Sequence, residues 1–284
     1  MNAHTLNEKR KKTHFMDPLA AKTVVRTLLE QRANILSLDV SVGSYDYLQE
    51  CLIKAAHQRE SRRICFANVH MVVEARRNPA IAKAVNEADW VVADGVPLLW
   101  AMRGLHRVRQ ERIAGMDIMA TLLQRAADEG ISVFFYGSTP DLLKRIDETC
   151  TERFPTLKIA GSLSPPFRPS TPEEDADTIK QITRSGAGLV FVALGCPKQE
   201  LWMARVQGRV PAVMLGIGNA LAVLVGEEER SPRWMQKAGL EWCFRLAREP
   251  RRLFKRYAVT NSLYVYYIIK QFVSRRPVVN KRVA

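Results

Sequence analysis

The chain has 284 residues, of which 47% are hydrophobic, and it carries a formal net charge of +14. This length suits one α/β domain with a sizeable core and an appended segment. The composition argues against a membrane-spanning protein, since no window reaches the ~18–20 uninterrupted apolar residues of a transmembrane helix.

Secondary structure is predicted from apolar runs and helix-period segments. Residues 1–33 form a polar, basic start with one predicted helix over 19–31. Strands are predicted over 34–42, 64–69, 90–93, 131–136, 157–160, 188–194 and 210–217. Helices are predicted over 45–57, 79–88, 116–129, 140–154, 172–185 and 197–207, several of them opening on a proline in the first turn.

The alternation of strands and helices defines the fold class. Strands that are almost wholly apolar are typical of a parallel sheet covered by helices on both faces. We therefore predict an α/β, Rossmann-like, mostly parallel sheet over residues 34–230, preceded by an extension (1–33) and followed by a basic helical C-terminal appendage (231–284).

Most of the positive charge lies in that appendage. Its 54 residues hold thirteen Lys and Arg and only two acids, a net charge of +11. A helical stretch over 231–248 ends at Glu249-Pro250, and a second, rich in aromatics and cations, runs over 251–272. This composition favours an interfacial helix at a membrane surface, the alternative being an ordinary helix docked on the core. The charge itself indicates an anionic partner.

Candidate binding residues follow the predicted strands, because Rossmann-like sheets bind ligands at the carboxyl ends of their strands. Glycines there let backbone N–H groups approach a phosphate. Asp94 alone suits a turn or a helix cap as well as catalysis. The candidates at strand ends are Asn68, Asp94, Gly95, Gly137, Gly195, Gln199 and Gly218.

Three other patterns receive structural interpretations. Gly216-Ile-Gly218 resembles half of a dinucleotide fingerprint, but Leu221 occupies the third glycine position, so NAD binding is not expected. Asp175-Ala-Asp177 matches a metal–nucleotide signature, but it lies in a polar helical run and is predicted to be a solvated face. His70 is predicted to pack or cap, with a titrating role as the alternative.

Cofactors, metals and export signals are not expected. The five cysteines show no CxxC spacing, which predicts reduced thiols and no zinc site. The first 14 residues lack the apolar region of a signal peptide, so a cytoplasmic protein is expected.

The order and spacing of several motifs resemble the WecG/TagA/CpsF family, glycosyltransferase family 26, from about residue 34 to 257. The motifs are Asn68, Ala93-Asp94-Gly95, the segment 111–117 with Arg112, the segment 195–200, Gly216-Ile-Gly218, the segment 230–234, and the segment 239–245 leading to Glu249-Pro250-Arg-Arg252.

The resemblance implies an inverting, metal-independent transfer of a sugar from a UDP-sugar to a polyprenyl-diphosphate-linked saccharide in cell-surface polysaccharide synthesis. Asp94 would be the general base, and Asn68, Arg112 and Gln199 would line the sugar-nucleotide pocket. The appendage would close over the diphosphate and touch an anionic membrane, peripherally on the inner face of the plasma membrane. The candidate clamp residues are Arg245, Arg252 and Lys255, with Arg256 beside them.

Two departures from the family pattern favour an alternative. Phe66 stands where the family often has Thr, and Ala222 replaces an acid. A sugar-nucleotide-binding homologue with impaired turnover is therefore the second hypothesis. Nucleic-acid binding is not expected, because the cations lie among membrane-type aromatics and no nucleic-acid-binding module is readable. The donor sugar (ManNAc, its uronic acid, glucose or glucuronate) and the oligomeric state, including a homo-oligomer, stay open.

Overall fold

The computed structural model describes residues 31–274 and 279–281. The strands are β1 (Gln31–Ile35), β2 (Leu38–Ser41), β3 (Arg62–Ala67), β4 (Trp90–Ala93), β5 (Ser132–Gly137), β6 (Lys158–Leu163), β7 (Leu189–Ala193), β8 (Val213–Gly216) and β9 (Val279–Lys281). The helices are α1 (Tyr45–His57), α2 (Val69–Arg77), α3 (Pro79–Asn86), α4 (Val96–His106), α5 (Gly115–Glu129), α6 (Pro140–Arg153), α7 (Pro172–Ser185), α8 (Lys198–Val206), α9 (Ala220–Leu224), α10 (Arg233–Lys237), α11 (Glu241–Arg248) and α12 (Pro250–Val273).

Six strands form one parallel sheet in the order β4-β3-β8-β7-β5-β6. The predicted Rossmann-like architecture is confirmed. Because all six strands run the same way, their carboxyl ends lie at one edge, and the loops that follow them meet there.

The apolar strands explain why helices cover both faces of the sheet. Val190 and Val192 pack into one core cluster, while Leu189 and Phe191 pack into the other. Successive side chains point to opposite faces of a strand, so a continuous apolar run buries both. Phe191 stacks on Phe135 of the neighbouring strand with ring centroids 5.6 Å apart.

Helix starts follow local capping chemistry. Thr139 caps α6 and Thr171 forms a capping box on α7, with Pro140 and Pro172 in the first turns as predicted. A proline is tolerated there because the first helical N–H groups have no partner within the helix. The predicted helices 45–57 and 172–185 are confirmed with the same bounds.

Several predicted elements need correction. The predicted strand 34–42 is a hairpin, in which β1 pairs antiparallel with β2 and Leu36 makes the turn at a φ of 58°. The helical stretch 231–248 divides into α10 and α11, and the helices α2 and α4 had not been predicted. The predicted helix 19–31 lies outside the described residues except for Gln31, which begins β1.

Helix α12 docks on the core through one face. Leu253, Thr260 and Tyr264 are buried, and the Tyr264 hydroxyl donates to the Pro97 carbonyl at 2.9 Å. The Leu36 amide donates to Gln271 Oε1 at 3.0 Å. Helix α12 is therefore docked on the core, as one of the two sequence-based interpretations expected. The rest of the helix exposes large apolar side chains, namely Phe254, Val259, Val265, Tyr266, Ile269, Phe272 and Val273. Among the described helices, none is both long and apolar enough to cross a membrane.

Candidate active site

A cavity of about 1200 Å³ lies at the carboxyl edge of the parallel sheet, between the strand ends and helices α11 and α12. It brings most of the predicted site residues together. Gly137 and Lys255 do not line it. Those that do are Asn68, Asp94, Gly95, Arg112, Gly195, Gln199, Gly218, Arg245 and Arg252.

Asp94 is fixed directly after β4. Its amide donates to the Ala67 carbonyl at 2.9 Å, which ties it to the neighbouring strand. Arg112 holds it from the other side, with Nε donating to the Asp94 carbonyl oxygen at 2.7 Å and Nη2 to Oδ1 at 3.3 Å. The same Nη2 donates to Glu241 Oε2 of α11 at 2.6 Å. Two carboxylates therefore share one guanidinium.

The surroundings of Asp94 raise its pKa to about 7. Burial is the largest cause, because it disfavours the charged form. Arg112 opposes the shift, whereas the negative charges of Glu241 and Asp117 add to it. The side chain still keeps 26% of its surface accessible, within the cavity, so a ligand can reach the carboxylate.

Gln199 ties two strand ends together. Its Oε1 accepts from the amides of Gly195 at 3.2 Å and Gly218 at 3.1 Å. Its Nε2 donates to the Gly216 carbonyl and to Glu200 Oε1, both at 2.8 Å. These four bonds shape the cavity wall between the ends of β7 and β8. A direct contact between Gln199 and a donor stays a prediction.

Asn68 and His70 form the wall that follows β3. Asn68 caps α2, its Oδ1 accepting from the Met71 amide at 3.1 Å, so the cap considered for His70 is supplied by Asn68 instead. His70 lines the cavity and is half-buried. Burial, and then the charge of Arg256, lower its pKa. Its Nδ1 is buried without a hydrogen-bond partner among the described residues.

Gly137 acts behind the wall rather than on it. Its φ is +111°, and a Cβ there would lie 2.6 Å from the carbonyl carbon and oxygen of Ala193. Only glycine allows the ends of β5 and β7 to approach this closely. The next residue, Ser138, lines the cavity and donates its amide to the Ala193 carbonyl at 3.2 Å.

Three arginines from the appendage face the cavity. Arg245 lies 3.5 Å from Glu228, and Arg252 lies 2.5 Å from Glu249. Arg256, one turn after Arg252, lines the cavity with its Nε buried and without a hydrogen-bond partner among the described residues. Arg256 therefore lines the cavity in place of the predicted Lys255, whose side chain is exposed to solvent.

Asp175 corrects another prediction. The solvated-face interpretation of Asp175-Ala-Asp177 is wrong for Asp175, which is 4% exposed, and holds for Asp177, which is exposed. Asp175 accepts from Trp202 Nε1 at 3.1 Å and from Arg205 Nε at 2.6 Å. It therefore anchors Arg205, a cation of the cavity wall that the sequence had not indicated.

The two departures from the family pattern lie in different settings. Phe66 is nearly buried and lines the cavity. Ala222 of α9 is buried in a core cluster and is not among the cavity-lining residues. Only Phe66 therefore changes the surface that a ligand would meet.

Two further findings concern the whole described chain. Within residues 31–274 and 279–281, no group of three or more His, Cys, Asp or Glu side chains is arranged to hold a metal ion. A family model described as "Glycosyl transferase WecG/TagA/CpsF family" matches residues 33–278. The match includes the parallel sheet, Asp94 and the helices that carry the cavity arginines.

Proposed function

The chain belongs to the WecG/TagA/CpsF family of glycosyltransferases, and on that premise we propose that it moves a sugar from a UDP-sugar to a polyprenyl-diphosphate-linked saccharide, inverting the anomeric centre without a metal ion. Family membership makes the chain a glycosyltransferase of cell-surface polysaccharide synthesis with a sugar donor and an acceptor. The identity of donor and acceptor, the stereochemistry and the metal independence are our proposal.

The observation that carries the proposal is the setting of Asp94. A general base works best with a pKa near the operating pH, and the Asp94 carboxyl has a pKa of about 7 in a ligand-sized cavity. In the proposed reaction, the acceptor hydroxyl attacks the anomeric carbon as its proton passes to Asp94. The bond from that carbon to the UDP oxygen breaks, and UDP leaves. Single-displacement inversion needs one such carboxylate.

The cavity arginines support the departure of UDP. Negative charge grows on the diphosphate as the glycosidic bond breaks, and guanidinium groups stabilise it through paired N–H donors. Arg245, Arg252 and Arg256 face the cavity from the appendage, and Arg205 faces it from α8. Their charge could take the place of a metal ion in this role.

The outward face of α12 supports a lipid-linked acceptor. The exposed Phe254 and Ile269 lie on a helix that carries cations and no acidic residue. Apolar and basic side chains together suit the headgroup region of an anionic membrane. We propose that the protein binds this surface peripherally, with the cavity arginines near the acceptor diphosphate.

The test is product formation. The purified protein is incubated with a panel of UDP-sugars and a polyprenyl-diphosphate-linked monosaccharide, with EDTA added, and the lipid products are analysed by mass spectrometry. One UDP-sugar should give an extended lipid, and Asp94→Asn should reduce its formation by about 10²–10⁴-fold. Undiminished turnover in the variant would remove Asp94 from the role of base.

A second candidate function is sugar-nucleotide binding without turnover. Phe66 favours it, since an apolar ring lies in the cavity wall where relatives often carry a hydroxyl. This alternative predicts that a UDP-sugar binds but that no acceptor is extended with any member of the panel. Phe66→Thr would then be the variant to restore turnover.

A further inference from the structure

Glu241 is the only appendage carboxylate among the described residues that pairs with the guanidinium holding Asp94. The two partners come from distant parts of the chain, and they meet because α11 lies against the loop that precedes α5. Arg112 is 16% exposed, so water competes little for its N–H groups.

We propose that Glu241 is a positioning residue through which the docked appendage sets the basicity of Asp94: by taking Nη2 of Arg112, it prevents that guanidinium from pairing fully with Asp94. The inference rests on the proposed role of Asp94 as the base. It goes further by making the base depend on a residue of the basic C-terminal segment.

The distances support this division of Arg112. Its Nη2 lies 2.6 Å from Glu241 but 3.3 Å from Asp94 Oδ1. Its Nε is committed to the Asp94 carbonyl at 2.7 Å, so the guanidinium cannot leave the site. Without Glu241, the carboxylate of Asp94 would be the remaining anionic partner of Nη2. A carboxylate in a closer ion pair holds its proton less tightly and is a weaker base.

The other charges near Asp94 do not perform this role. Asp117 also acts on Asp94, but its Oδ1 is paired with Arg230. The charged groups with the largest effect on Asp94 are thus Arg112, Glu241 and Asp117, the last paired with Arg230. Only Glu241 shares the guanidinium that contacts Asp94.

Helix α11 links this effect to the clamp. Glu241 begins the helix, and Arg245, one turn later, faces the cavity. Trp242 between them packs edge-on against Tyr257 of α12 with ring centroids 6.1 Å apart. Displacement of α11 would therefore remove Glu241 from Arg112 and Arg245 from the cavity together. Clamp and base would be complete only when the appendage is docked.

The test is a ¹³C NMR titration of aspartate carboxyl carbons in the full-length protein, with the Asp94 signal assigned by its loss in Asp94→Asn. The wild-type midpoint should lie at about 7. In Glu241→Gln it should fall by about one pH unit, because one negative charge near Asp94 is gone. Glu50→Gln is the matched control, since it also removes one carboxylate from an arginine pair, on the surface with Arg125, and should leave the midpoint unchanged.

A second variant separates charge from packing. Glu241→Asp keeps the carboxylate on a side chain one methylene shorter, and should keep the titration midpoint of Asp94 close to that of the wild type. An unchanged midpoint in Glu241→Gln would overturn the inference, and so would an equal fall in both variants. The titration needs no turnover. Activity that survives Asp94→Asn would overturn the role of Asp94 as the base, whereas the titration tests only whether Glu241 sets the pKa of Asp94. The failure of the proposed function and the failure of this inference can therefore be told apart.

Discussion

At the scale of single residues, the candidate site depends on side chains that hold other groups in place. Arg112 orients Asp94, Gln199 joins the ends of β7 and β8, and Asp175 anchors Arg205. The polar side-chain atoms of these residues form hydrogen bonds within the protein. A cavity built in this way is organised before a ligand arrives, which favours electrostatic catalysis because little reorganisation remains.

Gly137 gives a prediction about the stability of this arrangement. Gly137→Ala should lower the free energy of unfolding by about 2–4 kcal/mol, because the new Cβ would collide with the backbone of Ala193 at an unfavourable φ. Gly186→Ala is the matched control. Gly186 also has a positive φ, of +74°, but nothing lies within 4 Å of its Cβ position, so about 1 kcal/mol is expected. Urea unfolding of both variants measures the difference, and equal losses would contradict the account.

The sequence predicts the residues of the site better than their contacts. The family resemblance implies that Asp94 and Arg112 belong to one site, and both line the cavity. The Arg112–Glu241 pair joins residues 129 positions apart, and no local pattern indicates such a contact. Asp175 was misjudged for the same reason, since its partners Trp202 and Arg205 lie on another helix.

At the scale of elements, α12 has two different faces. One face is held by the core through Tyr264 and Gln271. The other exposes aromatic and aliphatic side chains, with Phe254 at 65% and Ile269 at 56% exposed. A helix that satisfied only the core would leave a polar outer face, so this outer face indicates a second apolar environment.

The outer face gives a second prediction. The double variant Phe254→Glu and Ile269→Glu should bind anionic phosphatidylglycerol vesicles at least about tenfold more weakly, because two apolar anchors become charges. Its thermal stability should change little, since both side chains are exposed. Lys180→Glu on the exposed surface of α7 changes the net charge by the same amount and serves as the control. Cosedimentation measures binding. Equal losses in both proteins would mean that net charge alone, not this face, governs association.

The elements themselves were largely predictable. Apolar runs located the strands of the parallel sheet, because burial on both faces requires them. The hairpin of β1 and β2 was missed because Leu36, which makes the turn at a positive φ, is not a usual turn residue, and Ser37 alone was too weak a signal. Helix α2 was missed because the predicted strand over 64–69 ran past Asn68, whose side chain in fact caps the helix.

At the scale of the whole molecule, one buried carboxyl group, that of Glu200, should make the free energy of unfolding depend on pH. Glu200 is fully buried below the cavity, and its Oε2 has no hydrogen-bond partner among the described residues. Burial raises its pKa from 4.5 to about 7. The folded protein therefore binds a proton that the unfolded chain releases between these values. This contribution to stability is full below pH 4.5 and is lost as the pH rises to about 7.

Glu200→Gln should weaken the dependence of the free energy of unfolding on pH. Between pH 5 and pH 7 the wild-type free energy of unfolding should lose roughly 1–2 kcal/mol through this group, and the variant should lack that share. Urea unfolding at several pH values measures it, with Glu50→Gln, an exposed carboxylate, as the control. An identical slope in Glu200→Gln and wild type would show that Glu200 does not titrate in this way.

The cavity is also an assembly of the whole chain. Asp94 follows β4 at one edge of the parallel sheet, Arg112 comes from a loop, and Glu241, Arg245 and Arg256 come from the last helices. The proposed base and the proposed diphosphate clamp therefore meet only in the complete fold. The C-terminal segment, although predicted as a separate appendage, therefore forms part of the cavity wall.

The central claim is that Asp94 accepts the proton of the acceptor hydroxyl. The most direct measurement is the single-turnover rate of sugar transfer, for wild type and Asp94→Asn, between pH 5.5 and pH 8.5 with bound UDP-sugar. The wild-type rate should rise with pH and level off above about pH 7, where Asp94 has lost its proton. The variant should be about 10²–10⁴-fold slower and should lack that rise. A variant rate within a few-fold of the wild type, with the same rise, would contradict the claim.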